Sequence, residues 1–160
     1  MNVDQFNKCV DNFADGLYRF LLKLTDGDVN MAKDLVQESY TRLWEKVKIV
    51  DYSKAKSYLF KTAYHCFIDY YRYSKKINNK IDEININKIE NILCLKDIIE
   101  EALKKLPSIQ KTVLLLRDYE GYTYEEIGEI TNLTPSQVKV YIFRARMKLK
   151  EYIVKLENVL

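Results

Sequence analysis

Two capping boxes eleven residues apart constrain this chain more than any other feature. Thr123 stands three positions before Glu126, and Thr134 stands three before Gln137. In each pair the first side chain accepts from a helix-start amide while the second reaches back to the cap's own N–H, so each pair marks where a helix begins. Pro135 falls at the first position of the second helix, where its missing N–H leaves nothing unsatisfied. The spacing predicts two short helices over residues 123–147 joined by a tight turn.

The second of these helices has an unusual outer face. At about 100° per residue, Val138, Ile142, Ala145 and Leu149 fall on one apolar stripe that must face a core. The opposite side carries Val140, Phe143, Arg144 and Met147, flanked by Lys139, Arg146, Lys148 and Lys150. One reading packs Phe143 and Met147 against a further helix. The other sets them in a duplex major groove, where thymine methyls accept apolar contacts, Arg pairs with guanine edges and Lys neutralises phosphates. Charge favours the second, because residues 134–150 hold five Lys or Arg and no acid.

The 160 residues are enough for one medium domain or two small ones. Net charge is only +3, but its distribution is uneven. Residues 54–80 hold seven Lys or Arg against Asp69, a balance of +6, whereas residues 81–101 hold six acids against Lys88 and Lys96, a balance of −4. Basic, acidic and basic segments alternate, which suits two nucleic-acid-facing modules separated by a solvated connector. Glycine is scarce, strand-like alternation is nearly absent, and apolar residues recur at three-and-four spacing, so the expected fold is all-α.

Cys9, Cys66 and Cys94 are odd in number and far apart, and His65 is the only histidine, which points to no disulfide framework, no metal site and no cofactor. A single histidine without a phosphate-cradling glycine loop also leaves little from which to build an enzyme site. The chain opens on no basic-then-apolar signal and has no apolar run of membrane-spanning length, so a cytoplasmic location is expected.

In the first half, residues 4–24 place Phe6, Val10, Phe13, Leu17, Phe20, Leu21 and Leu24 on one side of an amphipathic helix, which Thr25 to Asp28 break. A second helix over about 30–47 has Ala32, Leu35, Val36, Leu43 and Val47 inward. Its other side carries Asp34, Gln37, Glu38, Thr41 and Glu45 at i, i+3, i+4, i+7 and i+11. A third helix, about 54–76, interleaves Tyr58, Phe60, Tyr64, Tyr70, Tyr71 and Tyr73 with Lys56, Lys61, Arg72, Lys75 and Lys76. Half of these rings must serve the core; the rest suit stacking on unpaired bases while the cations follow the backbone. Residues 77–92 are rich in Asn, Ile and Lys with no helical stripe, and read as a linker.

Three stretches in order, DLVQESYTRLWEKV (34–47), SYLFKTAYHCFIDYYR (57–72) and LPSIQKTVLLLRDYEGYTYEEIGEITNLTPSQVKVYIFRARMKL (106–149), resemble the bacterial sigma factors of the extracytoplasmic-function group. These are the smallest sigma factors, with only conserved regions 2 and 4 and a linker between. The resemblance implies region 2 over 1–76, a linker over 77–97 and region 4 over 98–160. It implies that Asp34, Gln37, Glu38, Thr41 and Trp44 grip core RNA polymerase at the clamp helices of its large subunit, with Trp44 either a contact or a core anchor. Tyr52, Ser53, Lys54, Tyr58, Lys61 and Arg72 would take the opened −10 strand, with the loop over 48–57 capturing an extruded base. The family often has Trp where Tyr58 stands and Asn where His65 stands.

By the same resemblance Ser136, Lys139, Val140, Phe143, Arg144, Arg146 and Lys148 would read the −35 duplex, Arg146 and Lys148 through phosphates. The implied partners are core polymerase, including its flap, promoter DNA, and an anti-sigma protein of the kind that is often membrane-anchored. A stand-alone helix-turn-helix regulator is the alternative; it requires a dimer on a palindrome, and no sustained heptad seam is visible.

Overall fold

The computed structural model describes residues 1–77 and 95–157, and among these it contains seven α-helices, one 3-10 turn and no strand. A first unit is built from α1 (Val3–Leu24), α2 (Val29–Glu45) and α3 (Ala55–Ile77), the last entered through the 3-10 turn Tyr52–Lys54. A second holds α4 (Leu95–Lys104), α5 (Ser108–Asp118), α6 (Tyr124–Thr131) and α7 (Pro135–Glu157). The low-complexity stretch read as a linker lies, apart from Ile77, outside the described residues. Both ends of the wider 77–97 segment are helical, since Ile77 closes α3 and Leu95 opens α4.

Helix α1 starts on a reciprocal cap in which the Gln5 amide donates to Asn2 Oδ1 at 2.8 Å and the Asn2 amide to Gln5 Oε1 at 2.9 Å. It stops where Asp26 and Gly27 take the left-handed backbone, with φ of 56° and 91°. Asp28 then accepts from the Met31 amide and caps α2. Cys9, Leu17, Phe20, Leu21 and Leu24 of α1 meet Ala32, Leu35 and Leu43 of α2 and Leu59, Phe60, Ala63 and Phe67 of α3 in the core. Tyr40 ties α2 to α1 by donating to the Cys9 carbonyl at 3.1 Å. Cys9 and Cys66 are buried free thiols whose pKa values burial raises. Val10, expected on the inward stripe, is exposed; its neighbour Cys9 occupies the inward position instead.

In the second unit Leu103, Leu106, Val113 to Leu116, Ile127, Ile130, Val138, Ile142 and Ala145 make the core. Helix α7 is much longer than the short element expected, running 23 residues to Glu157. Neither glycine nor proline interrupts it after Pro135, so nothing in the local sequence ends it near Met147.

Among the described residues the two units pack directly on each other. Phe60 of α3 meets Tyr122 edge-on at 5.6 Å. The Lys111 ammonium of α5 reaches Asp26 at 2.5 Å and the Lys23 carbonyl at 3.5 Å. These contacts join residues far apart in the chain, which local periodicity does not register.

Candidate nucleic-acid interface

The helix-turn-helix is set by four local devices. The Thr123 amide donates to Glu126 Oε2 at 2.8 Å and the Glu126 amide to Thr123 Oγ1 at 3.2 Å, and the same pair of bonds recurs at Thr134 and Gln137 at 2.9 and 3.2 Å. Between them Asn132 ends α6 in the left-handed region at φ 58°, which asparagine tolerates. Gly128 permits the close approach of the turn: a Cβ there would lie 2.5 Å from the Leu133 carbonyl oxygen. Pro135 is the first residue of α7.

Packing of α6 on α7 buries Val138, Ile142 and Ala145 and leaves Val140, Phe143 and Met147 in solvent, Phe143 at 65%. Ser136, Lys139, Arg144 and Lys148 are exposed on the same helix. Among the described residues no ion pair engages Lys139, Arg144 or Lys148, so their charges are available to an external anion. Arg146 differs from the other expected −35 residues. It donates to both oxygens of Asp118, at 2.6 and 3.3 Å, and so fastens α7 to the end of α5.

The expected −10 residues fall into three places. Tyr58 and Lys61 line a cleft of about 420 Å³ between α2 and α3, together with Arg42, Lys46, Thr62 and His65, none of which the sequence reading had assigned to a site, and with Glu45. The His65 imidazole has its pKa lowered by burial and then by Lys61, and its Nε2 is buried without a hydrogen-bond partner. Tyr52, Ser53 and Lys54 form the 3-10 turn, with Tyr52 packed on the core and the other two exposed. Asp51 caps that turn, accepting from the Ser53 amide at 2.8 Å and hydroxyl at 2.7 Å, and these bonds lower its carboxyl pKa. Arg72 is exposed on α3, about 21 Å along the helix axis from Tyr58.

On the outer face of α2, Asp34, Gln37, Glu38 and Thr41 are all exposed. Thr41 donates to the Gln37 carbonyl at 2.9 Å, and Glu38 pairs with Arg42 at 2.7 Å. Trp44 continues this face toward α1.

Comparison with known proteins gives the arrangement a context. Residues 9–77 match the family described as Sigma-70 region 2, and residues 96–149 match Sigma-70, region 4. The chain is 31% identical over 145 residues to the ECF RNA polymerase sigma factor SigM of Bacillus subtilis, covering 86% of this chain and 88% of that one. The chain belongs to the extracytoplasmic-function sigma factors. The RNA polymerase sigma factor SigV of Bacillus subtilis is 30% identical over 153 residues, covering 92% of this chain and 90% of that one. Among solved structures, the sigma factor RpoE of Bartonella quintana in complex with the anti-sigma factor NepR has the same fold, with TM-score 0.79 and 24% identity over 94% of this chain and 98% of that one. This sigma factor directs promoter-specific transcription initiation, and its two conserved regions are the two helical units described above.

Proposed function

We propose a residue-level division of labour for this activity. The outer face of α2, with Asp34, Gln37, Glu38, Thr41 and Trp44, docks on the clamp helices of core RNA polymerase. Acidic and amide groups on an exposed helix suit a basic partner, giving specificity through paired charges more than through area. The α2–α3 cleft receives the unpaired −10 strand: Tyr58 offers a ring for stacking, Lys61, Arg42 and Lys46 follow the phosphates, and the neutral His65 edge supplies a hydrogen-bonding group. Tyr52, Ser53 and Lys54 lie at the edge from which an extruded base enters, and Arg72 extends the basic track along α3.

Helix α7 enters the −35 major groove by its N-terminal half. Ser136, Lys139 and Val140 lie in the first two turns, where recognition helices contact base edges, while Phe143 and Arg144 follow on the same outward face. Val140 and Phe143 suit thymine methyls, Arg144 a guanine edge, and Lys139 and Lys148 the phosphates. Arg146 acts first as the clamp that sets the angle of α7 on α5, through Asp118.

The observation that carries this reading is the face of α7, where exposed apolar residues and unpaired cations share one side of a helix that is otherwise anchored in the core. The chain itself carries no reaction; polymerase supplies the chemistry. It works in the cytoplasm, and an anti-sigma protein, such as NepR is for the Bartonella relative, is its regulatory partner. The reading is tested by permanganate reactivity of thymines in a promoter bound by the chain with core polymerase. Wild type should render −10 thymines reactive and Tyr58→Ala should not, whereas equal reactivity would remove the cleft from the mechanism.

A further inference from the structure

Base pairs are told apart in the major groove by hydrogen-bond donors, by acceptors and by the C5 methyl group of thymine. The outward side of α7 is equipped for only some of these marks. Lys139, Arg144 and Lys148 are donors with no acceptor atom, and no Asp, Glu or Asn stands between Pro135 and Lys150. The one side-chain amide, Gln137, has its oxygen engaged at the helix cap, where it accepts from the Thr134 amide at 2.9 Å and hydroxyl at 3.2 Å. Tyr141 packs against the core. Ser136 is the remaining hydroxyl, in the first turn and about 6 Å along the axis before Val140. Around Val140 and Phe143 the face therefore donates and does not accept, so the exocyclic amines of cytosine and adenine find no partner there.

What the face offers instead is apolar. Val140, Phe143 and Met147 stand in solvent on a helix that buries Val138, Ile142 and Ala145 on its other side. Val140 and Phe143 are about 4.5 Å apart along the axis, close to the roughly 3.4 Å rise between base pairs, so they address neighbouring pairs, and Met147 continues the line one turn further. An apolar side chain at a base edge gains free energy where it covers an apolar group, and the C5 methyl is that group in the major groove. Thymine carries it opposite adenine. In 5-methylcytosine the same ring position carries it opposite guanine.

We propose that the −35 face of α7 is a methyl reader: at the pairs met by Val140 and Phe143 it selects the pyrimidine C5 methyl group and accepts 5-methylcytosine in place of thymine. This specificity rests on the placement of α7 in the −35 groove proposed above, and names the mark that is read there. The methyl takes no part in base pairing, so methylation of a cytosine at such a pair creates a recognised pair without changing the sequence. Arg144 acts separately, on guanine acceptors that cytosine methylation leaves in place.

The test uses the full chain with core RNA polymerase, on duplexes built from the −35 element it selects from a promoter library. Each −35 thymine is replaced singly by deoxyuridine, which pairs alike but lacks the methyl, and separately by cytosine or 5-methylcytosine with guanine opposite. At one or two positions deoxyuridine should weaken complex formation by about fourfold, the worth of one buried methyl group, and 5-methylcytosine should bind about fourfold more tightly than cytosine. Val140→Ala and Phe143→Ala change exposed positions to a strong helix former, so helix content by circular dichroism should not change. Each variant should bind the thymine duplex more weakly and lose the methyl response at one position. Equal binding of thymine and deoxyuridine duplexes by wild type at every position overturns the proposal, and is the result expected if this apolar line seats a protein instead. A methyl response that survives in both variants also overturns it, because the methyl then acts through the shape of the duplex. Absence of any −35 selection by wild type removes the promoter reading and this inference together, whereas selection without a methyl response removes this inference alone.

Discussion

Trp44 packs edge-on against Phe6 with ring centroids 4.9 Å apart, yet remains 47% exposed. One edge of the ring fixes the start of α1 on α2, and the other continues the outer face of α2, where we propose that polymerase docks. Trp44→Ala should cost about 1–2 kcal/mol of stability from lost apolar area and ring contact and also weaken polymerase binding. Gln37→Lys with Glu38→Lys separates the two effects, since both side chains are exposed and, among the described residues, the ion pair lost is the surface one to Arg42. The double variant should keep its melting profile and lose co-purification with core polymerase.

Arg144→Ala should reduce promoter engagement by roughly 1–3 kcal/mol and relax selection at one −35 position, as expected for a base-edge contact. Lys148→Ala should weaken all sequences alike and reduce the salt dependence by about one charge. Binding of promoter libraries at two salt concentrations distinguishes these outcomes, and uniform weakening by Arg144→Ala would make that residue a phosphate contact.

Gly128→Ala tests the helix-turn-helix geometry. The added Cβ would meet a backbone oxygen, which cannot rotate away as a side chain can, and overpacking of this kind costs about 1–3 kcal/mol. Thermal denaturation should show the loss, with −35 binding falling in parallel because α6 and α7 are pushed apart.

Glu120 lies where the units meet, close to Gly16 of α1, and burial raises its carboxyl pKa while Lys56 and Arg19 oppose the shift. A carboxyl whose folded pKa exceeds its unfolded value contributes stability fully present below the unfolded pKa and lost as pH rises through the folded one. Glu120→Gln should therefore be more stable than wild type at pH 7 and nearly equal to it at pH 4, measured by denaturant unfolding at the two values.

The helix-turn-helix was legible because its signals are local: caps at fixed spacing, a proline at a helix start, and a period that separates Val138, Ile142 and Ala145 from Phe143 and Met147. The polar face of α2 was legible for the same reason. Three things were not. The end of α7 carries no stop signal near Met147, so its extent depends on packing with α4 and α5. Arg42, Lys46 and His65 come together with Tyr58 and Lys61 only through the crossing of α2 and α3. Lys111 and Asp26 are 85 residues apart, and no periodicity within a helix predicts that a lysine on α5 turns inward to meet a turn of the other unit. Family resemblance supplied the roles of surfaces that residue patterns alone left as solvated faces.

The account's central claim is tested most directly by run-off transcription with purified core RNA polymerase on a promoter library, comparing wild type with Arg144→Ala and with the Gln37→Lys, Glu38→Lys double variant. The account predicts discrete start sites downstream of a shared pair of elements with wild type, altered −35 selection with the first variant, and no specific transcripts with the second. Start-site selection unchanged by all of these substitutions, or sequence-specific binding by a free homodimer with no transcripts at all, would contradict it.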